Sequence, residues 1–416
     1  MKMKRFFLVL LAMLLVLSVY TACDDDDDDD SDYSSSTSSD DSDYSSSTSN
    51  TNTIIEVSTE EELAAAFALN GVIVQLLNDI ELTEAISVTG SDIILDMDGK
   101  SIYNYVYDEN AITILGSLTI TGDGTITNKF GNSKFFLSYL IYVNGGSLTI
   151  ESGNFLHDED NEWHSAKAYN THSLYMIHVS YGSIIIKDGT FKVYSRSVLR
   201  CSYSTVVIEG GLFERTFQEG TGCQHCLVCI ASSSMAITGG RFNGAELHIS
   251  NCNGLEEDSA VKISGVTINI SDLTHHYGGI WSIGTDLVLA DSTITVTTPT
   301  RYAVLAGYAS TLTIESGTYE GTKAIASDSA YTSVTIIDGV FTGTDYSLFC
   351  SYASVYGGTF SGALYICDFS NITGENITLY GGTYDNDPTS YLADGYSCTT
   401  LEDDSGTTWY TVVKDE

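Results

Sequence analysis

Ser147-Leu148-Thr149-Ile150-Glu151-Ser152-Gly153-Asn154-Phe155 sets the pattern that the rest of the chain repeats. It returns almost unchanged as Thr311-Leu312-Thr313-Ile314-Glu315-Ser316-Gly317-Thr318-Tyr319. Each copy is a short alternating strand, a turn with glycine, and an aromatic or aliphatic residue. In Leu148-Thr149-Ile150 the two aliphatics point one way and the threonine the other, as strand geometry dictates. Looser copies close on Ile102, Ile126, Phe155, Phe191, Phe213, Phe242, Ile268, Ile294, Tyr319, Phe341, Phe360 and Tyr384, at intervals of 19 to 36 residues. A repeat of that length signals a solenoid. A second alternating strand precedes the motif in Ile141-Tyr142-Val143, Ile177-His178-Val179, Leu199-Arg200-Cys201 and Leu348-Phe349-Cys350.

Two other repeat classes share the period. Leucine-rich repeats need a Leu-x-x-Leu-x-Leu-x-x-Asn pattern, which is missing. Helical repeats need a 3.6-residue rhythm, also missing. Period-2 alternation broken by glycine predicts a β-solenoid of twelve to fourteen coils, with inward residues stacked about 4.8 Å apart. The composition agrees: 37 glycines and 27 tyrosines against two prolines, Pro299 and Pro388, read as strand and turn with little helix.

The formal charge is −38. Eleven of the 55 acids and three of the 17 bases lie before residue 51, which leaves 44 acids against 14 bases in the remainder. A body that acidic repels phosphate backbones, so nucleic acid is excluded as a partner.

Residues 1–22 read as a signal peptide: Lys2, Lys4 and Arg5, then the apolar run Phe6 to Val19, then Thr21-Ala22 before Cys23. An ordinary signal peptide with a cysteine nearby is one reading. The other resembles a bacterial lipoprotein signal, with Cys23 lipidated and Tyr20 in place of the usual aliphatic residue. Asp24 to Asp30 follow. Seven adjacent carboxylates are a solvated run, and the same run resembles the surface-export signal of Bacteroidetes-type lipoproteins. Calcium is a weak candidate there, since a loop site needs glycine and spacing that the run lacks. Asp-Tyr-Ser-Ser-Ser-Thr-Ser occurs from Asp32 and from Asp43, a composition too polar to fold. Residues 23–53 are therefore expected to tether a domain spanning 54–413.

A solenoid has two raw ends that invite strand pairing. Ser58 or Thr59 begins a helix running to Leu69, with Glu61 or Glu62 placed for a capping box and Asn70-Gly71 at its end. Leu63, Ala66, Phe67 and Leu69 form its apolar face. The helix caps the first coil, within 54–71. Beyond Tyr384 the repeat stops, and residues 385–413 contain two strands, Tyr396 to Thr400 and Thr408 to Val413, joined through Glu402 to Gly406 as a capping hairpin.

With the helix Thr59 to Leu69, the segment Ile93-Ile94-Leu95-Asp96-Met97-Asp98-Gly99-Lys100, the Leu-Thr-Ile-x-x-Gly-x-Phe copies and the ending Asp387 to Tyr396, the chain resembles a single-stranded right-handed parallel β-helix of the pectin-lyase-like class. It is closest to bacterial surface members. That resemblance implies an all-β parallel β-helix and, for the enzymes among its members, polysaccharide substrates. The calcium-dependent lyase segment Arg-x-Pro-x-x-Arg is absent around both prolines. The polygalacturonase-type Asn-Thr-Asp, Asp-Asp, Gly-His-Gly and Arg-Ile-Lys order is absent too. Paired carboxylates about 5–9 Å apart are a spatial matter that the sequence leaves open. The fold hosts lyases, hydrolases, adhesins and spacers alike.

The repeats are interrupted most between Leu156 and Gly279, where all eight histidines lie. Loops of successive coils stack on one side of a solenoid and often bind. Trp163, His164, Tyr169, His172, His225, His275, His276, Tyr277 and Trp281 are the candidate ligand-binding residues. Polar surface loops without a ligand are the alternative. No catalytic residue, metal or cofactor is assigned. Cys223, Cys226, Cys229 and Cys252 suggest disulfide or core more than metal in an exported chain; Cys201 and Cys350 read as core. The expected function is a non-enzymatic, lipid-anchored surface protein of a bacterium, held in the outer membrane through Cys23, that binds extracellular glycan or a cell-surface protein. A surface polysaccharide lyase or glycoside hydrolase is the alternative.

Overall fold

A computed structural model describes residues 53–106, 109–129, 139–157, 175–193, 197–216, 226–257, 259–271, 278–299, 301–329, 331–367 and 376–416. The quoted stretch supplies two of the three strands of one coil: Ile141–Asn144, Ser147–Ile150 and Asn154–His157 follow one another across short turns. They define a first, second and third face. Each strand pairs in parallel with its equivalent one coil before and one coil after. Ile141 lies between Ile112 and Ile177, Leu148 between Leu118 and Ile184, and Phe155 between Ile126 and Phe191. The second face is one sheet of fourteen strands, from Thr53–Val57 to Asn376–Leu379, about 60 Å long at the usual rung spacing. The first and third faces join where Gly317–Ser327 and Val340–Cys350 run through both across a bulge. The chain is an all-β parallel β-helix.

The residues read as coil closures, with Ile80 added ahead of them, form one unbroken register. Ile80, Ile102, Ile126, Phe155, Phe191, Phe213, Phe242, Ile268, Ile294, Tyr319, Phe341, Phe360 and Tyr384 pair in sequence, and all are buried. Within it Phe155, Phe191, Phe213 and Phe242 stack at 4.9, 4.8 and 4.7 Å. A second stack runs Tyr319, Phe341, Phe360, Tyr384 at 5.3, 4.7 and 4.8 Å. Rung spacing sets these distances, and each pair adds roughly 0.5–1.5 kcal/mol beyond its burial. The two buried tyrosines keep their hydroxyls satisfied by donating to the carbonyls of Ser316 and Gly381. The turn glycine of the quoted motif is required: Gly317 has φ of +125°, and a Cβ there would lie 2.5 Å from the Ser292 carbonyl oxygen of the preceding coil.

Both ends are closed. Strand Thr53–Val57 pairs with Val72–Leu76, and the helix Glu60–Ala66 covers the first coil with Leu63 and Phe67 fully buried. Thr59 is the cap: its Oγ1 accepts from Glu62 N–H, and the Glu62 carboxylate accepts from Ser58 N–H at 2.7 Å. The helix is shorter than the sequence predicts, and Leu69 is exposed rather than packed. The reason is that Ala68 and Leu69 bond three residues back, to Ala65 and Ala66. That tightening of the last turn rotates Leu69 off the apolar face. At the far end Tyr396–Glu402 and Thr408–Lys414 form an antiparallel hairpin, and the latter pairs with Thr383–Tyr384. Asp403 fixes its turn, accepting from Ser405, Thr407 and the Trp409 indole. The Ser405 hydroxyl first, then that indole, hold its carboxyl far below the usual carboxylate range. Ordered strand thus extends one residue beyond the expected 54–413 at each end.

Candidate functional site

Two surfaces of the middle coils depart from what stacking needs. One is the turn between the first and second faces. In the quoted coil Gly145 occupies its left-handed position, with φ of +73°. Register places Tyr181, Tyr203, Ser232 and Asn251 there in the next coils, with φ of +54°, +52°, +48° and +49°, and Gly284 at +57° after them. Asparagine tolerates that region; a bulky tyrosine costs about 1–2 kcal/mol in it. The Tyr181 and Tyr203 rings are 70% and 61% exposed and stack on each other at 5.4 Å, 6° from parallel. With Ser232, Ser234, Asn251 and Asn253 they line a shallow groove. Beneath it, Ser204 and Ser233 are buried and anchored. Ser204 N–H donates to Ser233 Oγ (3.1 Å), while the two hydroxyls donate to the Ser202 and Ala231 carbonyls. Strands therefore fix the groove floor. A flat pair of exposed rings beside amides and hydroxyls offers an apolar face and directional hydrogen bonds together.

The other surface is the outward row of the first face. Register aligns Tyr142, His178, Arg200, Cys229, His248 and Trp281 on successive coils. At its start Tyr139 meets the His178 ring edge-on at 4.6 Å, and Tyr142 lies 5.3 Å from that ring. Arg200 donates to the Tyr175 hydroxyl at 3.0 Å and lies over its ring. Burial, with the Arg200 charge second, lowers the His178 pKa to about 4, so the imidazole is neutral at pH 7. Burial likewise raises the Tyr139 phenol. Further along, Cys226, Cys229 and His248 bring their ligand atoms within 4.8 Å of one another. Within this pair Cys229 carries the thiolate character: the Cys226 thiol donates to it, and His248 and Arg200 face it. Trp281 stacks on His248 at 4.4 Å.

Of the nine candidate ligand-binding residues, Trp281 is placed in this row. Trp163, His164, Tyr169, His172, His225, His275, His276 and Tyr277 lie outside the described residues, as do Cys23, the tether and Cys223. Cys201 and Cys350 are core, as their inward positions predict; Cys252, read as disulfide or core, is buried, and no disulfide joins the described cysteines. Cys229 differs: it occupies an outward position, one rung from His248. Apart from Tyr139 and Cys226, which precede their strands, the constellation sits on strands rather than in the interrupting loops. Tyr142, His178 and Arg200 are the middle residues of the alternating triplets in the sequence. Aligning those triplets by register is the signal that exposes the row. Asp and Glu are absent from it. In comparisons with known proteins, no family model, no curated protein and no solved structure matches the chain.

Proposed function

We propose that this chain is a surface-displayed, non-enzymatic β-helix lipoprotein, distantly of pectin-lyase-like type, that binds extracellular glycan in the groove at Tyr181 and Tyr203. One observation carries the reading. Two tyrosines are kept in left-handed backbone at a position that Gly145 fills one coil before them and Ser232, Asn251 and Gly284 fill in the coils after, and the groove gains from them only exposed aromatic surface. Strain of that kind persists where it serves a function. The acidic body favours neutral glycans over polyanionic ones. The sequence of residues 1–53 supports display: a signal peptide, lipid on Cys23 and a polar spacer place the groove away from the membrane. Loss of fatty-acid labelling in Cys23→Ser tests the anchor. A glycan array probed with the full chain tests binding. Retained signal on neutral glycans, lost in the Tyr181→Asn/Tyr203→Asn double variant, is the expected result, and a blank array refutes the reading.

A polysaccharide lyase is the second reading, and a specific cluster favours it. Neutral His178 beside Tyr139, Tyr142 and Arg200 offers a proton acceptor, phenols and a cation on one surface. Release of unsaturated sugar from uronic-acid polysaccharides, abolished in His178→Ala, would establish it; the absence of turnover on all of them would remove it.

A further inference from the structure

We propose that Cys226 Sγ, Cys229 Sγ and a ring nitrogen of His248 form a binding site for one soft divalent cation, zinc foremost, with a fourth coordination position left open.

The donor set is the first ground. Two thiolates and an imidazole are the ligands zinc prefers, and three protein ligands leave a position for water or an external ligand. Tetrahedral bonds of about 2.3 Å to sulfur and 2.0 Å to nitrogen put ligand atoms roughly 3.5–3.8 Å apart. The three donors already lie within 4.8 Å of one another, so side-chain torsions alone close the difference.

The scaffold is the second ground. Cys229 and His248 are direct partners on adjacent strands, Val228–Ala231 and Leu247–Ser250. Cys226 is buried and held from both sides. Ser197 Oγ donates to its carbonyl, and the next residue, Leu227, donates its N–H to the Glu246 carbonyl at 2.8 Å. Trp281 lies against His248 at an interplanar angle of 13° and fixes the ring plane. One His248 nitrogen, Nε2, is buried without a hydrogen-bond partner in the protein, which is costly unless something occupies it. Rigid ligands with a fixed ring orientation are what a preorganised metal site requires.

Charge is the third ground. Zinc with two thiolates and neutral imidazole sums to zero. The two charged neighbours, Arg200 beneath Cys229 and buried Glu246 near Cys226, carry opposite signs. The loaded site is thus balanced, whereas two adjacent thiolates beside Glu246 are not.

The test is titration of the reduced, metal-stripped full chain with Co(II), then Zn(II), under anaerobic conditions. One equivalent of Co(II) should produce a thiolate-to-metal charge-transfer band and the visible bands of tetrahedral cobalt, and one equivalent of zinc should erase them. Cys229→Ser and His248→Ala should each weaken binding by about tenfold or more, with circular dichroism unchanged. Cys398→Ser, in the terminal hairpin, should titrate like the wild type. Absence of a one-equivalent site in folded, reduced protein overturns the proposal, as does wild-type titration by both ligand variants. So does a Cys226–Cys229 disulfide mapped by peptide mass in protein taken directly from the bacterial envelope, which would make the two a redox pair instead.

Discussion

The middle coils and the last coils share one interior and differ on one outer row. Inside, Phe155 to Phe242 and Tyr319 to Phe360 repeat the same stack at the same spacing. Outside, on the first face, the middle coils carry His178, Arg200, Cys229, His248 and Trp281. The same row continues as Leu305, Ala326, Phe349 and Tyr365. There Leu305 and Ala326 are buried, and Lys323 sits 4.0 Å over the Phe349 ring, which stacks on Tyr365. Stacking geometry demands the interior and leaves the exterior free. An apolar row is thus enough to finish the fold, as the last coils show. Stacking alone does not call for the histidine, arginine and thiol groups of the middle coils.

If the interiors are equivalent, breaking either stack should cost the same. Phe213→Ala and Phe341→Ala should each destabilise by about 3–5 kcal/mol in guanidinium unfolding, through lost burial and the cavity left between rungs. A large inequality would mean the two regions are not one continuous solenoid.

The regions should separate under acid. The folded pKa of His178, about 4, lies below the unfolded value of 6.5. Between those values the unfolded state binds more protons, so stability is full above pH 6.5 and falls as the pH drops towards 4. The loss should be on the order of 1 kcal/mol, discounted because the ring keeps some solvent access. His178→Gln should flatten that slope in pH-dependent unfolding. The last coils contain no histidine, so Phe349→Leu should leave the slope intact.

Smaller still is the strain at the groove. Tyr181→Asn should leave stability unchanged or raise it by about 0.5–1 kcal/mol, because asparagine accepts the left-handed backbone better. A marked loss of stability would mean the ring pair is a packing device. Least of all, Val340→Thr, exposed on the third face of the last coils between Thr318 and Thr359, should stay within roughly 0.5 kcal/mol of the wild type in the same unfolding assay.

The fold was legible because its cause is periodic. Leu148-Thr149-Ile150 and Phe155 announce which residues face inward, and every coil closure from Ile102 to Tyr384 falls in register. The capping hairpin was legible from its turn residues. The first strand, Thr53–Val57, was not: it belongs to no repeat, and its partner Val72–Leu76 lies across the helix. The candidate row was not legible as a site: it is assembled by register from strands of successive coils, and most of the loop residues singled out in the sequence lie outside the described residues. Trp281 was singled out together with the loop residues, whereas its neighbour in the row, His248, is 33 residues away in sequence and one rung away in space. Cys226 and Cys229 read as disulfide or core more than metal, because His248, which register brings beside them, comes from the next coil. The Tyr181 and Tyr203 pair carries no sequence signature, since it stands out only by φ and by register with Gly145, Ser232 and Asn251.

The most direct test is quantitative binding of the full chain to neutral glycans, comparing two exposed, stacked tyrosine pairs. Tyr181 and Tyr203 line the groove; Tyr356 and Tyr380 stack at 5.0 Å on ordinary backbone in the last coils. Binding that falls at least about tenfold, one stacked ring or more, in Tyr181→Asn/Tyr203→Asn and persists in Tyr356→Asn/Tyr380→Asn is the predicted result. Equal loss in both, or binding untouched by the first pair, would contradict a dedicated site in the middle coils.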